Sequence, residues 1–123
     1  MFWKKSNTSP EINWVQLQNN EQLDQLMAES QETDVLIYKH STRCGISGMA
    51  LDRLERSWKA ELNEMKTYFL DLIAHRTLSD QIAQTFEVFH ESPQVILIRQ
   101  GKAIHSDSHM NISAEKIEEI MRS

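Results

Sequence analysis

The residues best suited to chemistry lie together in His40-Ser41-Thr42-Arg43-Cys44-Gly45-Ile46-Ser47. Cys44 is the single cysteine of the 123-residue chain, so no internal disulfide can close. A compact apolar run, Val35-Leu36-Ile37-Tyr38, ends just ahead of it, and an amphipathic segment begins just after it. The cysteine should therefore occupy the first turn of a helix. There the unsatisfied N–H groups and the positive end of the helix dipole favour an anion. Lys39, His40 and Arg43 are expected to add positive charge nearby. Surroundings of this kind lower a thiol pKa from about 8.5 to roughly 3.5–7.5, and the thiolate is the species that attacks disulfides. The competing reading is a buried cysteine serving as a small hydrophobe; the polar and basic neighbours favour a reactive thiol.

The elements that must position this turn follow from patterning. Residues 1–10 read as a loose arm and residues 11–123 as one domain, a length that supports a single core. Ile12 to Leu17 alternates like a strand, and Asn19 or Asn20 can cap a helix in which Leu23, Leu26 and Met27 share a face. The run Val35–Tyr38 reads as a strand buried on both faces. After the cysteine, Leu51, Leu54, Trp58 and Leu62 predict one long helix, with acid-first pairs Asp52/Arg56 and Glu55/Lys59 on its outer side. Tyr68 to Ile73 is a further strand. A helix from about Thr77 should turn Leu78, Ile82, Phe86 and Phe89 inward. Ser92-Pro93 punctuates the chain, and Val95–Ile98, a turn over residues 99–102, and Ala103–His105 predict an antiparallel hairpin. Ser113 caps a last helix with Ile117, Ile120 and Met121 inward. The order βαβαβαββα predicts an α/β fold, a central mixed β-sheet with helices on both faces.

Composition narrows the function classes. The net charge of −5 argues against nucleic acid, whose phosphates need a basic face. Lys4 and Lys5 precede a polar stretch rather than an apolar one, so no secretory signal is expected, and no segment approaches the roughly 20 apolar residues that span a bilayer. The cytoplasm is the expected location, with no membrane partner.

Cys44-Gly45-Ile46-Ser47 after a hydrophobic strand, with Ser92-Pro93 ahead of the hairpin, resembles the thioredoxin and glutaredoxin superfamily. More closely, His40 through Ser47 followed by Met49-Ala50-Leu51 resembles the YtxJ-like monothiol bacilliredoxins over most of the chain, from Trp14 to Met121. That resemblance implies a thioredoxin-like fold and a monothiol thiol–disulfide oxidoreductase that removes bacillithiol from protein mixed disulfides. It implies Cys44 as the catalytic residue, bacillithiol as co-substrate with no tightly bound cofactor, and bacillithiolated proteins as partners. Arg43, Gly45, Ile46, Ser47, Ser92 and Pro93 would hold the small thiol, with Arg43 or Lys39 at its carboxylates. Ser47 stands where a dithiol enzyme keeps its resolving cysteine, and Pro93 resembles the superfamily's cis-proline. Gly45 stands where bacilliredoxins commonly have proline. Cys-Gly-x-Ser is also similar to monothiol glutaredoxins that carry iron–sulfur clusters, although those usually have Phe in place of Ile46. An iron–sulfur carrier and a non-catalytic thioredoxin-fold adaptor are accordingly the alternatives.

Two further groups invite readings. His40 as a protease-like general base lacks an orienting carboxylate or amide, and is expected to tune local charge or to pack at the strand end. His105, Asp107 and His109 suggest a metal site, but they read as a solvated polar turn that alternates sides.

Overall fold

The computed structural model describes residues 11–123; the proposed arm over residues 1–10 lies outside the described residues. Five strands and four α-helices alternate in the predicted order: β1 Val15–Gln16, α1 Asn20–Glu29, β2 Val35–His40, α2 Gly45–Arg56, β3 Lys66–Asp71, α3 Arg76–Phe86, β4 Gln94–Arg99, β5 Lys102–Ser108 and α4 Ala114–Arg122. The sheet runs β1-β3-β2-β4-β5. β1, β3 and β2 are parallel, whereas β4 is antiparallel to both β2 and β5. The mixed α/β architecture expected from the sequence is present.

Alternation along the central strands divides the core in two. Val35 and Ile37 of β2 join Leu70, Ile96 and Ile98 beneath Leu23 and Leu26 of α1 and Leu78, Ile82 and Phe86 of α3. Leu36 and Tyr38 face the other way, with Val95 and Leu97, against Ala50 and Leu54 of α2 and Ile117 of α4. β2, like β4, is therefore buried on both faces, and it delivers its last residues to the turn that carries Cys44.

Local chemistry moves several boundaries. β1 pairs over only two residues, at the edge of the sheet. α2 stops at Arg56, well short of the long helix predicted: the Ser57 hydroxyl donates to the carbonyls of Arg53 and Leu54 and competes with continuation of the ladder. Trp58 then turns into the core, and Leu62 sits in a separate 3-10 turn, Ala60–Glu64. The Asp52–Arg56 pair forms at 3.1 Å. Glu55 instead accepts from Trp14 Nε1, and Lys59 pairs with Glu118 of α4 at 2.9 Å. β3 ends at Asp71 because its carboxylate accepts the N–H groups of Ile73 and Ala74 and turns the chain.

Phe89 is a larger departure. It is 93% exposed rather than inward, because Glu87, in the left-handed conformation (φ 56°), ends α3 and breaks the helical period that would carry Phe86 to Phe89. The hairpin turn has both central residues left-handed, Gln100 (φ 51°) and Gly101 (φ 76°), as a two-residue type I′ connection requires. Its second strand is longer than predicted, so His105 and Asp107 lie on β5 and His109 in a short 3-10 turn, not in a loop. Two apart on a strand, His105 and Asp107 share a side; Nε2 and Oδ2 are 3.6 Å apart. Among the described residues no group of three His, Cys, Asp or Glu side chains gathers as a metal would need, and no helix is long and apolar enough to cross a membrane.

Candidate functional site

Cys44 is the N-cap of α2, one residue earlier than the first-turn position expected. Its backbone is extended (φ −115°, ψ 117°) and the residue is half-buried. The Cys44 N–H donates to the Ser41 carbonyl at 3.2 Å, while its own carbonyl accepts from Ser47 N–H at 3.1 Å and Gly48 N–H at 3.4 Å. The thiol makes no capping bond to the helix. The N–H groups of Gly45 and Ile46 find no acceptor among the described residues, so two orphan donors of the helix start open beside the sulfur.

Ser47 has a different environment from its neighbours. It is fully buried. Its hydroxyl oxygen accepts the Ser41 N–H at 3.0 Å and lies 2.9 Å from His40 Nδ1. Its carbonyl accepts from the Tyr38 hydroxyl at 2.9 Å. With its N–H on Cys44 as well, every polar atom of Ser47 is occupied inside the protein. The residue shapes the turn and presents nothing to a ligand.

The basic neighbours predicted for Cys44 divide in the same way. Arg43 and Thr42 are exposed at the turn. His40 packs against Phe69 with ring centroids 5.3 Å apart, and burial pushes its pKa down, against a weaker opposite pull from Asp71. It is therefore a neutral ring near pH 7. Lys39 is entirely buried and, by strand alternation, points to the side of Val35 and Ile37 rather than toward the turn. Its ammonium donates to the Ser79 carbonyl at 3.1 Å and lies 3.4 Å from His90 Nδ1. The sequence-based assignment of Lys39 to a ligand's carboxylates is corrected: it is sealed under α3. Of the two, only Arg43 is exposed at the turn.

On the neighbouring strand, Gln94 is paired with Lys39, which puts Ser92-Pro93 level with His40 and the start of the cysteine turn. The Ser92–Pro93 bond is cis, as the resemblance implied. The Pro93 carbonyl accepts from His109 N–H at 3.0 Å, while the Ser92 hydroxyl is buried with no partner among the described residues. Arg43, Cys44, Gly45, Ile46, Ser92 and Pro93 thus gather at one end of the sheet, and Ser47 lies beneath them. Sequence reasoning did not single out Tyr38 and His90. The period-two alternation through Val35, Ile37 and Lys39 carried the signal for Lys39; nothing in the sequence pointed to its partner 51 residues on.

Comparison with known proteins agrees with this geometry. The family model described as monothiol bacilliredoxin BrxC matches residues 15–117. Among solved structures, a candidate oxidoreductase with a thioredoxin fold is 30% identical, with a TM-score of 0.73 over 85% of this chain and 90% of that one. The thioredoxin of Trypanosoma brucei brucei is similar in fold at 16% identity, with a TM-score of 0.72 over 98% of this chain and 99% of its own. That of Malassezia sympodialis is similar at 13% identity, with a TM-score of 0.71 over 97% and 96%.

Proposed function

Since this chain belongs to the monothiol bacilliredoxin family, a family of thiol redox proteins with the thioredoxin fold, we propose that it removes bacillithiol from protein mixed disulfides through Cys44. The thiolate of Cys44 attacks the bacillithiol sulfur of a protein–S–S–bacillithiol bond. The S–S bond breaks, its electron pair leaves with the protein sulfur, and that thiolate takes a proton from water. Cys44 then carries bacillithiol in a new disulfide. A second bacillithiol thiolate attacks the bacillithiol sulfur held on Cys44, which restores the Cys44 thiolate and releases the bacillithiol disulfide.

The observation that carries this reading is the buried Ser47. A dithiol enzyme would hold its second sulfur there; here a hydroxyl is tied to Ser41 and His40, so the mixed disulfide on Cys44 has no internal competitor and waits for a thiol from solution. The free N–H groups of Gly45 and Ile46 are suited to developing negative charge on sulfur. The Ser92-Pro93 backbone would align the substrate chain, and Arg43 would meet a bacillithiol carboxylate. The cytoplasm, where low-molecular-weight thiols are kept reduced, fits such chemistry.

The test is release of bacillithiol from a modified protein, followed by mass spectrometry of both products, with the same protein carrying glutathione as comparison. Faster release from the bacillithiol adduct supports the reading. Equal or preferential release of glutathione contradicts the assignment of bacillithiol.

A further inference from the structure

Lys39 is the buried charge that the proposed chemistry leaves unused. A fully buried ammonium is costly unless its donors are satisfied, and here two of its contacts reach α3 and the loop ahead of β4: the Ser79 carbonyl at 3.1 Å and His90 Nδ1 at 3.4 Å. An ammonium can only donate, so His90 must offer Nδ1 as an acceptor and carry its proton on Nε2. The Ser79 hydroxyl lies 3.3 Å from the same nitrogen. Among the described residues the loop has two other side-chain ties, from Gln94 Nε2 to the Phe89 carbonyl at 2.9 Å and from the Ser108 hydroxyl of β5 to Glu91 Oε2 at 3.1 Å, and neither reaches β2. The Ser92 hydroxyl and the Gln94 side-chain carbonyl are buried with no partner among the described residues and contribute no hold.

We propose that Lys39 and His90 are positioning residues, a brace between β2 and the loop before β4 that sets the Ser92-Pro93 turn against Cys44 and releases when His90 takes a proton. This rests on the reading that the turn receives the mixed disulfide. A protonated His90 has no lone pair at Nδ1, so two donors and two positive charges would face each other across 3.4 Å in a partly buried site. His90 as a residue is exposed, which gives solvent protons access. The surrounding charges bear on both partners. Burial pushes the Lys39 pKa down to about 8, with Asp80 of α3 opposing. Burial, then the Lys39 charge and Arg76, hold His90 below its ordinary value, against Asp80 and Glu91. His90 is therefore neutral near pH 7 and takes its proton on the acid side of about 6.5.

The experiment combines NMR with kinetics on the full chain. In Lys39→Met, the His90 titration midpoint should rise and amide exchange over residues 88–92 should quicken. KM for a protein mixed disulfide should increase several-fold, while alkylation of Cys44 by a small reagent keeps its rate. In wild type, kcat/KM divided by the Cys44 alkylation rate at the same pH, which removes the thiolate fraction, should fall on the acid side with the midpoint that NMR reads for His90. His90→Asn, whose amide oxygen still accepts from Lys39, should keep the neutral-pH KM and lose that acid limb. An unmoved His90 midpoint in Lys39→Met, or an intact acid limb in His90→Asn, overturns the brace. If the wild type turns over no mixed disulfide, the functional reading fails, and the titration and exchange results still decide whether the brace exists.

Discussion

The Ser47 hydroxyl lies 2.9 Å from His40 Nδ1 and at the same time accepts the Ser41 N–H at 3.0 Å. One buried oxygen thus joins the end of β2, the first residue of the cysteine turn and the first turn of α2. Replacing it with alanine leaves a buried N–H and a ring nitrogen without partners. Ser47→Ala should destabilise the protein by about 1–3 kcal/mol, read from the urea midpoint at unchanged m-value. It should retain most of its turnover, since the oxygen takes no part in the exchange. A stability equal to wild type would contradict the bonding described.

Tyr38 supports the same turn from below, donating to the Ser47 carbonyl at 2.9 Å. Tyr38→Phe keeps the ring in its core and removes this bond alone. The expected loss is roughly 1 kcal/mol, with faster amide exchange confined to the first turn of α2. Exchange that quickens evenly over the whole sheet would argue against a local role.

Lys39 predicts a pH dependence of stability. Its pKa in the folded protein is pushed down to about 8 by burial, while the unfolded chain binds the same proton up to the ordinary value of 10.5. Between those values the unfolded state holds more protons than the native state, so native stability rises with pH across that window and its deficit is fully present below it. Denaturant titrations from pH 7.5 to 10.5 should show this rise in wild type against a flatter curve in Lys39→Met. Parallel curves would place the Lys39 ammonium in solvent-like surroundings.

At the opposite end of β4, Arg99 makes a two-pronged pair with Asp34, both contacts at 2.8 Å, and reaches the Met121 carbonyl at the end of α4 at 3.1 Å. A lysine cannot reproduce this fork. Arg99→Lys should cost roughly 1–3 kcal/mol and loosen α4, with no change in thiol reactivity. A change in the Cys44 alkylation rate would mean that the two ends of the sheet are coupled.

Much of the fold was legible because the apolar runs Val35–Tyr38 and Val95–Ile98 are both short and unbroken, and the turn over Gln100 and Gly101 leaves little choice of connection. Cys44 was legible as well, since it falls between a buried strand and an amphipathic helix. What escaped depended on contacts distant in sequence or on a single backbone angle. The Ser57 hydroxyl shortened α2 and the left-handed Glu87 turned Phe89 outward, and neither event leaves a mark on hydrophobic periodicity. Lys39 looked like a charge near the sulfur because it is five residues away. Strand alternation sends it to the other face, where Ser79 and His90 take it.

The most direct measurement is the rate at which bacillithiol leaves a modified protein in the presence of wild type, Cys44→Ser and Ser47→Ala. A serine hydroxyl does not ionise near neutral pH, so Cys44→Ser should abolish release, whereas Ser47→Ala should remain within a few-fold of wild type. Mass spectrometry of the wild type stopped during turnover should find one bacillithiol added at Cys44. Release that persists in Cys44→Ser, or that fails equally in Ser47→Ala, would contradict a single-thiol exchange at this site.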